Sequence, residues 1–240
     1  MRRLPARPEL PPTTLLKIGK QTIAIEAIED FAKQVDAANS LYKSARGSKW
    51  FLPAVEALSE MAGAGQRCMC CSGGEAAQVE HYRPKGTYPS RSFVWTNLLW
   101  ICSVCNLYKG DQFDESCQPV NPIEEQVWEY FFIDEFGNLC PRWSHESGSL
   151  NSRAVETIRL YSLDRQALQE TRLARLQELV RLLSDSTALK DQDQLSDGDL
   201  QLRLLEIHAN PLQPDVADYF LNGPGSTDLL FEQFFEVAGL

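Results

Sequence analysis

The chain has 240 residues, which permits one substantial hydrophobic core or two modest domains. Hydrophobic residues make up 43% and charged residues 23%, the composition of an ordinary globular protein. A formal net charge of −10 argues against a protein that coats nucleic acid through bulk charge. The apolar runs are too short to span a bilayer, and the arginine-containing N-terminus lacks the apolar segment of a secretory signal, so a cytoplasmic location is expected.

The N-terminal quarter is predicted to be an extended arm followed by helices. Prolines within residues 1–15 disfavour a helix there. Apolar side chains at helical spacing, from Ile23 onward, then predict one helix that continues to about Ala45. A shorter helix is predicted from Lys49 to Met61, and glycines follow it. We assign residues 1–62 to this first region.

The middle of the chain, residues 63–120, has a different pattern. A short strand is predicted over residues 78–82, and a loop containing proline and glycine follows it. The aromatic segment 92–101 is expected to form a second strand or an irregular approach to one. A helix is predicted from Cys105 to about Asp111, so the unit reads as strand, loop, strand and helix.

The remaining region, residues 121–240, is predicted to be mainly helical. Residues 134–138 resemble a hairpin turn, and helices are expected from Asn151 and from Asp164 to about Leu183. An acidic linker is expected over 185–199, and a further helix over 200–208. The tail carries Phe231, Phe234 and Phe235, which could either dock a partner or pack on the core. The predicted fold class is therefore α+β and mainly helical.

Seven cysteines include two Cys-x-x-Cys pairs. An odd count with this spacing argues against a secreted disulfide framework and favours metal binding in a reducing compartment. Thiolates at Cys68, Cys71, Cys102 and Cys105 would form a closed structural zinc site. Cys70 is adjacent to Cys71, and the sequence leaves open whether it takes that place. A redox pair is a weaker alternative for these thiols, and Cys117 and Cys140 are interpreted as core residues.

Between the two cysteine pairs lie residues suited to a second, open site. His81 follows Glu80 on the predicted strand, and an imidazole can accept a proton near neutral pH. Asn106 offers a carbonyl oxygen to Mg²⁺ or Mn²⁺, or it could cap the helix. Glu80 and His81 would point to opposite faces of a regular strand, so they can share a site only if the strand ends or bends there. The neighbourhood is locally basic, with Arg83, Lys85 and Lys109 as candidate phosphate contacts.

These residues carry a family resemblance. Residues 67–113 resemble the HNH endonucleases of the ββα-metal class, through the segments EHYRPKxxYP, WTNLLWxCxxCN and KGDQF. The segments are similar to a subgroup linked to bacterial anti-phage defence, which includes Septu-type and retron-associated nucleases. In that subgroup an acid–histidine pair opens the motif and asparagine replaces its final histidine. A looser likeness continues through Leu163-Asp164-Arg165.

The resemblance implies a role for each motif residue. His81 would be the general base that activates water, and Glu80 and Asn106 would bind one catalytic divalent cation, Mg²⁺ or Mn²⁺. Asn97 matches the middle asparagine and would orient the catalytic loop. The four cysteines would hold structural zinc. Two departures stand out: Glu80 is one methylene longer than aspartate, and Asn106 replaces histidine, which favours Mg²⁺ or Mn²⁺ over zinc.

The resemblance also implies partners. The leading hypothesis is a nuclease that cleaves nucleic acid, with DNA favoured, together with an ATPase subunit of the ABC or SMC kind in a defence complex. The main alternative is a non-catalytic zinc-ribbon module that binds nucleic acid or protein. No membrane partner is expected. The sequence leaves open DNA against RNA or tRNA, sequence specificity, nicking against double-strand cleavage, stoichiometry and the activating trigger.

Overall fold

The computed structural model of the protein describes residues 1–63, 65–191 and 214–222. It is a mixed α/β structure of helices and small two-stranded sheets. The helices are α1 Pro12–Glu26, α2 Phe31–Ala45, α3 Leu52–Met61, α4 Ser103–Lys109, α5 Ser152–Tyr161, α6 Gln166–Asp191 and α7 Pro214–Asn222. The strands are β1 Gln78–His81, β2 Leu98–Ile101, β3 Phe131–Ile133, β4 Leu139–Pro141, β5 Trp143–Ser144 and β6 Ser149–Leu150. Among the described helices, none is long and apolar enough to cross a bilayer.

The N-terminal region differs from the prediction in two ways. α1 begins at Pro12, inside the stretch expected to be extended, because proline is well tolerated in the first turn of a helix. The single helix expected to reach Ala45 is also wrong, since it breaks between Glu26 and Phe31. The Asp30 carboxylate accepts a hydrogen bond from the Lys33 backbone N–H at 2.8 Å and starts α2 as an N-cap. α3 lies within the predicted range.

The second region contains β1, β2 and α4 in the predicted chain order. β1 and β2 pair in antiparallel fashion, with Glu80 opposite Leu99 and His81 opposite Leu98. β2 reads LLWI and is buried along its whole length, which explains its continuous apolar sequence. Short 3-10 helices at Pro89–Arg91 and Trp95–Asn97 lie in the connection between the strands. α4 begins two residues after β2 ends.

The N-terminal helices contact this unit through an aromatic cluster. Tyr42 of α2 packs with Phe51 and Phe93 at centroid distances of 5.8 and 5.9 Å. The Tyr42 ring also meets the His81 ring at 4.5 Å. Phe51 and Phe93 are completely buried. This cluster fixes α2 against the end of β1 and so forms one wall of the candidate site.

The C-terminal region begins with the β3–β4 hairpin, which confirms the turn predicted at residues 134–138. α5 follows Asn151, whose side-chain oxygen accepts a hydrogen bond from the Ala154 N–H at 3.1 Å. α6 begins at Gln166, two residues after the predicted cap at Asp164, and extends to Asp191. The acidic linker expected from residue 185 is therefore wrong over 185–191, where Ala188, Leu189 and Lys190 favour helix and no glycine or proline interrupts it.

A buried ion pair joins α6 to α7. Arg172 Nε lies 3.0 Å from Asp215 Oδ2, and both side chains are fully buried. The same guanidinium donates to the Leu163 carbonyl at 3.0 Å. The helix predicted at 200–208 and the tail with its three phenylalanines lie outside the described residues.

Gly137 and Gly148 provide a test of the packing between the β3–β4 hairpin and α6. Both have a positive φ, +79° and +63°. A Cβ on Gly137 would lie 2.6 Å from the Leu173 backbone nitrogen, whereas one on Gly148 would have no neighbour within 4 Å. We expect Gly148→Ala to cost about 1–2 kcal/mol of unfolding free energy from backbone strain alone. Gly137→Ala should cost at least about 2 kcal/mol more, because helix backbone must move. Urea denaturation measures both, and equal losses would contradict the packing.

Candidate functional site

The four predicted zinc cysteines come together in the structure. The Sγ atoms of Cys68, Cys71, Cys102 and Cys105 all lie within 4.8 Å of one another, and all four side chains are buried. Cys68 and Cys71 precede β1, while Cys102 and Cys105 span the start of α4. Cys71, and not the adjacent Cys70, belongs to this cluster. The structure thus resolves the choice between them in the way the Cys-x-x-Cys spacing indicates.

The donor set fits a zinc ion. The Cys71 and Cys102 sulfurs are 3.8 Å apart, far too long for a disulfide. A tetrahedral zinc with Zn–S bonds of about 2.3 Å places its sulfurs about 3.8 Å apart. Backbone N–H groups of Gly74 and Cys105 donate to Cys71 and Cys102 at 3.5 Å, as suits thiolate acceptors. Hydrogen bonds from neighbouring thiols lower the pKa of Cys71, whereas burial raises the pKa of Cys68.

Arg165 is a member of this site that sequence reasoning did not assign. Its two terminal nitrogens lie 4.0 and 3.9 Å from Cys105 Sγ. Donation to the Tyr161 and Ser162 carbonyls, at 3.1 and 2.8 Å, holds the guanidinium in place. Four thiolates around Zn²⁺ carry a net negative charge, which a neighbouring cation offsets. Arg165 lies 60 residues from Cys105 in the chain, and only its place in the looser likeness singled it out.

The second candidate site is a cleft of about 870 Å³ between β1 and α2. Glu80, His81, Lys85 and Asn106 all line it. β1 ends at His81, which meets the condition under which neighbouring strand residues can share one site. Of the residues predicted for this second site, Asn97, Arg83 and Lys109 do not line the cleft.

His81 is 2% exposed and has a defined tautomer. Its Nε2 lies 2.9 Å from the Ser92 carbonyl oxygen, which can only accept a hydrogen bond. Nε2 therefore carries the proton, and Nδ1 is the acceptor of the neutral ring. Burial, reinforced by the positive charge of Lys85, lowers the pKa of His81 to about 3. The imidazole is thus neutral at physiological pH.

Glu80 and Asn106 each have a polar partner. The Lys109 ammonium lies 2.6 Å from Glu80 Oε1, and the lysine side chain is 0% exposed. Lys109, predicted as a phosphate contact, is therefore a buried partner of the carboxylate. Asn106 Nδ2 donates a hydrogen bond to Gln78 Oε1 at 2.6 Å. This bond uses the amide nitrogen, so the amide oxygen is the Asn106 atom that could bind a cation. Asn106 lies within α4 and Cys102 is the N-cap, so the capping interpretation of Asn106 is wrong.

Asn97 and Arg83 organise the connection between the strands. The Asn97 side chain accepts from the Arg83 N–H at 2.7 Å and donates to the Arg83 and Arg91 carbonyls, each at 3.0 Å. These bonds tie the two ends of the loop together. The Arg83 guanidinium pairs with Glu115 at 3.1 Å, outside the cleft. Lys85, in contrast, lines the cleft, and its ammonium lies 5.2 Å from the centroid of the Tyr42 ring.

Other residues of the cleft were missed by sequence reasoning. α2 contributes Lys43 and Arg46, and the segment after α4 contributes Asp111. The α2 residues were hidden because the sequence predicts a helix there without indicating which element its polar face meets. Asp111 was noted only as the end of a helix.

Comparison with known proteins finds sequence similarity over part of the chain. No protein-family model matches the chain. Among curated proteins, the Septu protein PtuB of Bacillus thuringiensis is 29% identical over 124 residues. That alignment includes 49% of this chain and 45% of the relative, so the chain spans less than half of the relative's length.

The zinc assignment makes a prediction that separates Cys105 from Cys70. Cys105→Ser should lose most bound zinc and unfold at lower temperature, because a structural metal contributes directly to folding free energy. Cys70→Ser is the matched control: it alters a buried thiol outside the cluster and should retain about one zinc per chain. Plasma emission spectroscopy and thermal unfolding followed by circular dichroism measure the two effects. Zinc-free wild-type protein, or zinc retained in Cys105→Ser, would contradict the assignment.

Proposed function

We propose that the protein is a metal-dependent endonuclease of the HNH type that hydrolyses phosphodiester bonds in nucleic acid, with DNA favoured. The observation that carries the proposal is the meeting of Glu80, His81 and Asn106 in one cleft beside the four-cysteine cluster. A neutral imidazole can act as the general base in phosphodiester hydrolysis, and a carboxylate with an amide oxygen can hold the divalent cation. The motif resemblance supplies the reaction class.

His81 would act as the general base. The Ser92 carbonyl fixes the ring through Nε2 and leaves Nδ1 to accept a proton from water. The neutral form is available at physiological pH because burial and Lys85 disfavour the imidazolium. Binding of a phosphate anion beside the ring would raise the pKa and make His81 a stronger base.

Glu80 and Asn106 would hold the catalytic cation. A carboxylate and an amide oxygen are hard donors, and Mg²⁺ needs only one or two such protein ligands beside its waters. The ion would supply positive charge to the scissile phosphate and the leaving oxygen. Lys109 occupies Oε1 of Glu80, and Oε2 remains as the second carboxylate oxygen. Asn97 would keep the loop that carries Lys85 in position.

We further propose a role in anti-phage defence together with an ATPase subunit. Similarity to a Septu protein supports the defence role, and the sequence resemblance to Septu-type nucleases supports the ATPase partner. In this proposal residues 63–120 form the nuclease unit and residues 121–240 include the partner-docking surface. The C-terminal region also contributes Arg165 to the zinc site.

A non-catalytic zinc module is the second candidate. The buried Lys109–Glu80 ion pair favours it, because the pair satisfies the Glu80 charge without any divalent cation. This candidate requires the four cysteines and assigns no chemistry to His81.

Replacing His81 separates the two candidates. We expect His81→Ala to lower the rate of plasmid or oligonucleotide cleavage in Mg²⁺ or Mn²⁺ by about 10²–10⁴-fold, the usual contribution of a general base. His145→Ala removes an exposed histidine outside the cleft and serves as the matched control. Zinc content should be unchanged in both variants. Cleavage by His81→Ala at the wild-type rate would exclude the nuclease assignment.

The partner is tested by purification from native cells. A tagged version of the chain should co-purify with an ATPase subunit that mass spectrometry identifies, and nucleic-acid cleavage should depend on that subunit or on its nucleotide. Cleavage should be compared with and without partner and nucleotide. Recovery of the chain without any ATPase would contradict the proposed complex and leave the nuclease assignment to the His81 experiment.

A further inference from the structure

One face of α2 lines the cleft opposite the strand that carries His81. Asn39, Tyr42, Lys43 and Arg46 lie at positions i, i+3, i+4 and i+7, the spacing of a single helical face. Tyr42 is the buried member and contacts the His81 ring at 4.5 Å. Lys43 and Arg46 are exposed. The buried tyrosine, which contacts the proposed base, therefore shares one helical face with two exposed cations that line the cleft.

The charge of the cleft differs from that of the whole protein. Lys43, Arg46 and Lys85 line it against two carboxylates, Glu80 and Asp111. One of these carboxylates is already neutralised by Lys109, which lies behind the lining. The chain as a whole carries a formal charge of −10. A local excess of positive charge on an acidic protein favours an anionic ligand at this place over binding elsewhere on the surface.

Lys43 and Arg46 also differ from other basic residues of the protein. Arg7, Arg83, Arg153 and Arg159 each pair with a glutamate. Within the described part of the chain, neither Lys43 nor Arg46 has a carboxylate within ion-pair distance. Their charges are thus available to a ligand. Their i, i+3 spacing places them about 4.5 Å apart along the helix axis, so two long side chains can reach neighbouring phosphates of one strand.

We propose that Lys43 and Arg46 bind the phosphate backbone of a nucleic-acid strand that lies across the cleft and hold it against β1. The inference rests on the proposed nuclease function and deepens it, since it assigns substrate binding to α2, outside the nuclease unit. Lys85, which lines the same cleft and lies 5.2 Å from the centroid of the Tyr42 ring, would add a third contact with the backbone. Such contacts position the strand and carry no sequence information. The enzyme would accordingly recognise backbone geometry.

The helix itself offers a simpler role for these residues. Lys43 lies in the last turn of α2, and Arg46 is its C-cap, where cations stabilise the helix dipole. That role affects stability and leaves nucleic-acid binding unchanged. Binding measurements therefore separate the two roles even if both variants unfold at slightly lower temperature.

The experiment compares two double variants of equal charge. Lys43→Ala/Arg46→Ala removes the cleft cations, and Lys17→Ala/Lys33→Ala removes two exposed lysines of α1 and α2 that do not line the cleft. Fluorescence anisotropy with labelled single-stranded and double-stranded oligonucleotides, without added divalent cation, reports binding in the absence of cleavage. We expect about tenfold weaker binding for the cleft variant at low salt and near wild-type binding for the control.

The salt dependence provides the sharper measurement. Loss of two phosphate contacts should reduce the slope of log affinity against log salt by about 1.8 for duplex or about 1.4 for a single strand. Equal affinities and slopes for the two double variants, or a wild-type protein that binds neither oligonucleotide, would overturn the inference. If the two double variants bound equally while cleavage still depended on His81, the nuclease assignment would be retained and only the proposed role of α2 would be rejected.

Discussion

Four buried cysteine side chains set the geometry of the segment that contains β1, β2 and α4. One pair lies just before β1 and the other lies where β2 passes into α4, so a metal bound by all four joins both strands and the helix at one point. Strands of four residues and a helix of seven are too short to be stable through their own backbone hydrogen bonds alone. With this point fixed, the end of β1 and the first turns of α4 have a defined separation. Glu80, His81 and Asn106 depend on that separation.

Nearby charges and burial determine the electrostatic environment of Glu80 and His81 in the cleft beside the cysteines. Lys109 supports the Glu80 carboxylate from inside the protein, while Lys85 and burial keep His81 uncharged. The Tyr42 ring packs edge-to-face with the imidazole and so connects His81 to α2. Lys85 and Lys109 thus place positive charge near the proposed base, which disfavours an imidazolium and would attract an anionic substrate. In the proposed function, zinc and the catalytic cation would bind at separate places, because the sulfur donors and the oxygen donors lie in different environments.

Local sequence signals predicted the parts of this arrangement that depend on short-range chemistry. Cys-x-x-Cys spacing identified the cluster, the apolar and aromatic segment 92–101 indicated β2, and Asp134 with Gly137 marked the hairpin turn. Contacts between distant segments were not predictable in this way. Arg165 reaches Cys105, and Lys109 reaches Glu80, only because of tertiary packing. The break between α1 and α2 was missed because apolar spacing continues across it, although Asp30 supplies a cap.

The most direct test of the central claim is to locate the two metals in crystals grown with Mn²⁺. Anomalous difference maps above and below the zinc absorption edge distinguish zinc from manganese. We predict zinc among Cys68, Cys71, Cys102 and Cys105, and manganese in the cleft bound by Glu80 and Asn106, within reach of His81. Zinc at the cysteines with no manganese between Glu80 and Asn106, at concentrations that saturate cleavage, would contradict the account of the cleft as a metal-dependent active site.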